Sequence, residues 1–304
     1  RLIKSVKADI VIAEGFFQFT PWALAYAIFN RKPILIAYER TAHTERNCPA
    51  WRRMYRKFVN LFVDGYVVNG ILTKQYLVSQ GVSENVIFTG AMCADSLHLA
   101  EKVKMIKPEE RLFFKRELHI EKKEIIYLYV GRLITLKGVA YLLDAWKEHI
   151  LSHPNDHLLI VGEGPLFDDF VQGYGFMNSI SFVGNIDYSR ISEYYAVADV
   201  FVIPTLEDNW SLVVPEAMAC GLPIACSVYN GCHPELVHEG KNGVLFDTLN
   251  KASLLYALSY FHSVDLELFG KESMKIEQKY NPQNTARNIF KALKLWLKNK
   301  TIYP

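Results

Sequence analysis

The runs IIYLYVG (125–131), HLLIVG (157–162), ISFVG (180–184) and DVFVIP (199–204) are almost continuously apolar. Strands of that composition are buried on both faces, as in parallel sheets. Helical patterns over 138–150, 165–172 and 188–197 separate them. Strands alternating with such helices specify βαβ units and a doubly wound α/β sheet. Three of the runs end in Gly131, Gly162 and Gly184, and the fourth ends in Pro204 and a polar loop. Open α/β sheets bind ligands beyond the carboxyl ends of their strands, so these small, flexible ends mark a ligand crevice.

Working outward, the first half repeats the alternation more weakly. DIVIA (9–13), ILIAY (34–38), GYVVN (65–69) and NVIFTG (85–90) read as strands. A helix is expected over 20–29, with Thr20 as cap and Pro21 at the first helical position. Further helices are expected over 50–62 and up to Gln80. The charged, weakly patterned stretch 98–118 reads as a linker. At 304 residues the chain has room for roughly two domains of about 150 residues. The expected division is 1–118, 119–280, and a closing helix in 281–304. Residue 1 is Arg, not Met, and a strand begins almost at once, so the first domain is expected to be truncated at its front.

Composition narrows the function classes. Half the residues are hydrophobic and 22% are charged, an ordinary globular balance that excludes disorder, collagen and coiled coil. The net charge of +2 conceals an asymmetry: 1–118 holds 18 Lys/Arg against 11 Asp/Glu, and 119–304 holds 16 against 21. A uniformly basic nucleic-acid binder is thereby excluded, while one basic half can face an anionic partner. No apolar run reaches the 18 residues of a membrane span. The five cysteines (Cys48, Cys93, Cys220, Cys226, Cys232) are odd in number and lack CxxC spacing. They read as reduced thiols of a cytoplasmic protein. The scattered histidines lack zinc spacing, so no metal or cofactor is expected.

Two segments carry candidate chemistry. Gly131-Arg132 and Lys137-Gly138 set two cations in a strand-end loop that feeds a helix, an arrangement that suits phosphate. The segment PTLEDNWSLVVPEAMACG (204–221) closes a buried strand, passes through an acidic loop and opens a helix with Glu216 in its first turn. A carboxylate there either caps the helix or accepts hydroxyl hydrogen bonds beside a phosphate site.

GRL…KG (131–138), IVGEGP (160–165), FVGN (182–185), ADVFVIPT…PEAMACGLPIA (198–225) and ELVHEGKNGVLF (235–246) together resemble the retaining glycosyltransferases of family 4. The match spans almost all of 124–262 in the family's order; 1–118 matches more loosely. The resemblance implies a GT-B fold, two Rossmann-like domains facing a cleft. It also implies metal-independent hexosyl transfer from a nucleoside diphosphate sugar to a glycan or lipid-linked acceptor, in surface polysaccharide or glycoconjugate synthesis.

Arg132 and Lys137 would neutralise the donor diphosphate, and Glu216 would bind the ribose hydroxyls. Where the family has an earlier carboxylate contacting the sugar, this chain has Asp208, with Glu207 beside it as the alternative. Asn209, Trp210 and Ser211, followed by Leu212, would meet sugar hydroxyls through backbone amides. Gly131 ends the first strand of the site, and Gly184, Asn185 and Ile186 would line the base. His43, after ILIAY, is the candidate to approach the donor from the other domain, flanked by Arg40 and Arg46.

The helix over 50–62 is expected to face the core with Trp51, Tyr55, Phe58, Val59 and Phe62. Arg52, Arg53, Arg56 and Lys57 then form a solvated basic face, or a docking surface for the cytoplasmic membrane's inner face. The rival to the transferase reading is a catalytically inert GT-B chain that binds nucleotide or a partner transferase.

Overall fold

A computed structural model describes residues 8–298. The chain divides into two compact units, 8–93 with 282–298, and 94–281.

The first unit holds four parallel strands, β1 (Val11–Glu14), β2 (Ile34–Tyr38), β3 (Gly65–Val68) and β4 (Ile87–Phe88), in the order β1-β2-β3-β4. Alternation sorts their side chains: Ile34, Ile36, Tyr66 and Val68 enter one core with Phe16, Leu77 and Val59. Leu35 and Val67 point to the opposite face, where Ala292 of helix Pro282–Lys298 covers them. Helix Thr20–Phe29 begins at its expected cap, one residue before the expected first helical position. Phe19 is the N-cap, and the Thr20 hydroxyl instead donates to the Gly15 carbonyl at 3.0 Å.

Helix Ala50–Asn60 departs from its expected orientation. Only Arg56 and Val59 are buried, whereas Trp51, Met54, Phe58, Leu61 and Phe62 are exposed. The cause is an ion pair: Arg56 clamps Glu45 through two hydrogen bonds of 2.6 and 3.0 Å and donates to Tyr76 Oη at 3.2 Å. Its guanidinium lies over the Phe16 and Tyr38 rings. An amphipathic rule that assigns every arginine to solvent cannot anticipate that inward face.

The second unit carries β5 (Ile126–Val130), β6 (His157–Val161), β7 (Ile180–Gly184), β8 (Val200–Ile203), β9 (Ile224–Ser227) and β10 (Gly243–Phe246). All pair in parallel, in the order β10-β9-β8-β5-β6-β7. The chain runs outward from β5 to β7, then returns to place β8 on the other side of β5. The topological switch point therefore lies between β5 and β8, the place beyond whose strand ends open α/β sheets bind ligands.

The expected linker is helical. Ser96–Met105 and Pro108–Glu117 are helices. Pro108 starts the second, Glu109 and Glu110 occupy its first turn, and the Glu110 carboxylate accepts the Lys107 amide at 2.9 Å, a favourable start next to the helix dipole. Both helices pack on helix Ile191–Val197 of the second unit, with Phe114 edge-on to Tyr194 at 5.1 Å. Ser96 Oγ donates to the buried Glu277 carboxylate. The compact division consequently falls at 93/94 instead of 118. Among the described residues no helix is long and apolar enough to cross a membrane.

Candidate active site

The loops after β5 and β8 meet over the switch point. Gly138 makes this meeting possible. It caps helix Val139–Ser152 at φ 68°, and a Cβ there would stand 1.9 Å from the Pro204 carbonyl oxygen. Only glycine permits that approach. Gly162, at φ 131°, is held as closely, since its Cβ would stand 2.0 Å from the Gly131 carbonyl oxygen. The two loops are then tied directly: the Leu206 amide and the Thr205 hydroxyl both donate to the Leu136 carbonyl, at 2.8 and 3.0 Å.

This tie brings Lys137 and Asp208 together. The Lys137 ammonium donates to Asp208 Oδ2, and the pair is only partly exposed to solvent. The same oxygen accepts the Ser211 hydroxyl at 2.6 Å, and Oδ1 accepts the Trp210 amide at 3.0 Å. Asp208 also joins the strand-like segment beside it, because the Gly231 amide donates to its carbonyl at 2.9 Å. Next to Asp208, the Glu207 carbonyl accepts from the Thr205 hydroxyl at 3.2 Å. Arg132, in the loop after β5, is exposed, its carbonyl held by Tyr129 Oη at 3.0 Å. Gly184 turns at φ 77° as β7 ends and accepts the Gly162 amide at 2.8 Å, which leaves Asn185 exposed beside it.

Glu216 sits in the first turn of helix Val213–Ala219, buried. Tyr188 Oη donates to its Oε1 and Tyr195 Oη to its Oε2, each at 3.1 Å. Burial pushes the carboxyl above its usual range against the lowering effect of the two phenols. Burial and the Glu216 charge raise Tyr188 to about 12, and the same two causes raise Tyr195. Both phenols therefore remain donors at neutral pH, and they hold the carboxylate in one orientation. A capping role is not what the side chain performs, since its partners are these phenols.

Sequence reading missed Tyr188, Tyr195 and Asn230. Asn230 is fully buried, and its Oδ1 accepts the Ser211 amide at 3.4 Å and Cys232 Sγ at 3.2 Å. No local pattern announces any of them, because their partners lie 19 to 28 residues away or sit in a buried turn. Leu212 is exposed at the start of the helix. His43 belongs to the other unit, in the loop after β2, where the Arg46 guanidinium donates to its carbonyl at 2.5 Å. Glu45 of that loop, pushed up by burial, is held below its usual range by the Arg56 hydrogen bonds.

A family model described as glycosyl transferases group 1 matches residues 110–268. An uncharacterized glycosyltransferase of Methanocaldococcus jannaschii is 32% identical over 153 residues, 49% of this chain and 39% of that protein. The alpha-monoglucosyldiacylglycerol synthase of Acholeplasma laidlawii is 29% identical over 136 residues, 44% of this chain and 34% of that enzyme. The matched segments thus cover less than half the length of these curated relatives. Among solved structures, HepE of Anabaena in complex with UDP superposes with a TM-score of 0.78 over 93% of this chain and 78% of that one, at 16% identity. At that identity the likeness concerns the fold, two Rossmann-like α/β units of the GT-B kind.

Proposed function

The chain belongs to the glycosyl transferases group 1 family, and from that premise we propose that it transfers a hexosyl group from a nucleoside diphosphate sugar to a hydroxyl, with retention at the anomeric carbon. The observation that carries this reading is the Lys137–Asp208 pair over the switch point, with Glu216 held by two phenols nearby in the chain's own donor unit. A diphosphate competes with Asp208 for Lys137 and recruits Arg132. The positive charge then sits where the leaving group develops its negative charge, the dominant kind of catalytic stabilisation for such a step. Asp208, released from the ammonium but still held by Ser211 and the Trp210 amide, turns a fixed carboxylate toward sugar hydroxyls. Glu216, with one phenol on each oxygen, keeps a lone pair on each for the ribose hydroxyls.

The acceptor is proposed to be a glycan or a lipid-linked sugar. HepE was captured with UDP, and the Acholeplasma relative is named for a diacylglycerol product; a uridine nucleotide and a lipid acceptor are the starting choices for this chain. The exposed aromatic and basic side chains of 50–62 support peripheral contact with an anionic bilayer, and the role proposed is surface polysaccharide or glycoconjugate synthesis at the inner face of the cytoplasmic membrane. His43 is proposed to approach the donor sugar.

A thermal-shift panel of UDP, GDP, ADP and dTDP, with and without magnesium, tests the reading. A nucleotide at about a hundred times its dissociation constant stabilises by about 2.7 kcal/mol, which raises the melting point by roughly 5–10 °C. The expected result is one nucleotide class acting in the absence of metal and losing its effect in Lys137→Ala. No shift with any of the four, from folded protein, would overturn it. The anomeric configuration of the product, read by NMR, decides retention.

A further inference from the structure

At the amino ends of β5 and β6, the opposite end of the sheet from Lys137 and Asp208, three imidazoles stack in a column. His153 lies between the other two, its ring centroid 4.6 Å from that of His149 and 4.0 Å from that of His262. They arrive from separate elements: His149 from the last turn of helix Val139–Ser152, His153 from its C-cap, and His262 from a short turn more than a hundred residues later. Each offers a ligand nitrogen, and these atoms lie within 4.8 Å of one another.

The carboxylate beside them gives the cluster a direction. Asp156 is fully buried, and its Oδ2 receives His149 Nε2 at 2.7 Å and His262 Nε2 at 2.8 Å. A carboxylate accepts and does not donate, so each ring carries a proton on Nε2, and in a neutral ring the nitrogen left to ligate is Nδ1. His149 is 2% exposed, and its Nδ1 is buried with no hydrogen-bond partner; the same is true of His153 Nδ1. His262 Nδ1 is 3.5 Å from Glu124 Oε1. A carboxylate that fixes the tautomer of an imidazole whose other nitrogen is unpaired is the arrangement by which proteins orient histidine ligands toward a metal. Buried lone pairs without a donor are costly if nothing fills them.

We infer that His149, His153 and His262 bind one divalent transition-metal ion of the zinc class, with Asp156 orienting two of the rings and Glu124 at hand as an oxygen ligand. Imidazole nitrogens bind zinc at about 2.0–2.1 Å, which sets tetrahedral ligand atoms roughly 3.4 Å apart; binding therefore requires His153 to turn out of the stack it now forms with His149 and His262. The ion would pin the end of helix Val139–Ser152 to the turn at His262 and to the start of β6. It takes no part in the proposed transfer and is independent of it.

The test is a titration of chelator-treated chain with Co2+ alone, followed by Zn2+ displacement. Expected are one equivalent of Co2+, a visible d–d band of a four-coordinate nitrogen and oxygen site, and a higher melting point. His153→Gln and His262→Gln each weaken binding at least about tenfold, while His98→Gln, an exposed histidine elsewhere, leaves it unchanged. The absence of saturable one-to-one binding by the unmodified chain overturns the site whether or not the variants fold. Binding that survives in the double variant His153→Gln/His262→Gln overturns it equally.

Discussion

Lys137 and Asp208 neutralise one another only while no anion competes for the lysine. Lys137→Ala is expected to lower turnover by about 10²–10³ and to remove the nucleotide-induced thermal shift; initial rates with the donor found in the panel check it. The carboxylates give a pH signature with opposite signs. Glu216 has a raised folded pKa, so its contribution to stability is complete below the unfolded value of about 4.5 and is lost as pH rises through the folded one. Glu45 has a lowered pKa, so its contribution exists above about 4.5 and is lost as pH falls through the folded value. Denaturant midpoints from about pH 4 to 8 should therefore show Glu216→Gln flattening a decline towards neutral pH, and Glu45→Gln removing a loss at the acid end. Identical profiles for both variants would contradict the assignment. At this scale the sequence displays the charged residues and hides their partners. Glu216 is legible in a first turn, but its phenols come from 21 and 28 residues earlier. Glu45 and Arg56 are visible letters whose pairing only the fold decides.

Elements were most legible where burial is two-sided. The β5–β8 runs had no polar alternation to misread, and each strand lies within its apolar run. The helices Ser96–Met105 and Pro108–Glu117 were not legible, because they carry many charges and bury only Ser96, Leu99 and Val103 between them. Gly138 links element to site: Gly138→Ala must move the Pro204 carbonyl and adopt a left-handed φ, so we expect a loss of at least about 2 kcal/mol. That is a fall of roughly 4–8 °C in melting point, with weakened nucleotide binding because Lys137 precedes it. Helix Ala50–Asn60 makes a different prediction. With Trp51, Met54 and Phe58 exposed among Arg52, Arg53 and Lys57, cosedimentation with anionic vesicles should exceed that with neutral ones. A cation near such a surface contributes about 1 kcal/mol, so Arg52→Glu/Arg53→Glu should cut binding more than tenfold while leaving the donor nucleotide response intact. Equal binding to neutral vesicles would show that charge is not what attracts the helix.

On the scale of the whole molecule, the chain crosses between units at 93/94 and again near 281, so the first unit is completed only by the last helix. Ala292 is fully buried against Leu35 and Val67, and a Cβ on Gly65 would stand 3.1 Å from Trp296 Nε1. Removing 282–304 uncovers that face of the β1–β4 sheet. The donor residues Arg132, Lys137, Asp208 and Glu216 all lie in the other unit and keep every contact described for them. Calorimetry of the shortened chain should then show one transition lowered or lost and a second that still rises on addition of the nucleotide. The full chain should regain the first transition at a temperature that Trp296→Ala lowers, since a large side chain removed from a packed face costs about 3 kcal/mol. A shortened chain that melts as a single unit and ignores nucleotide would mean that the donor unit depends on the first for its fold. The 124–262 segment would then carry the family's pattern without being an independent binding module.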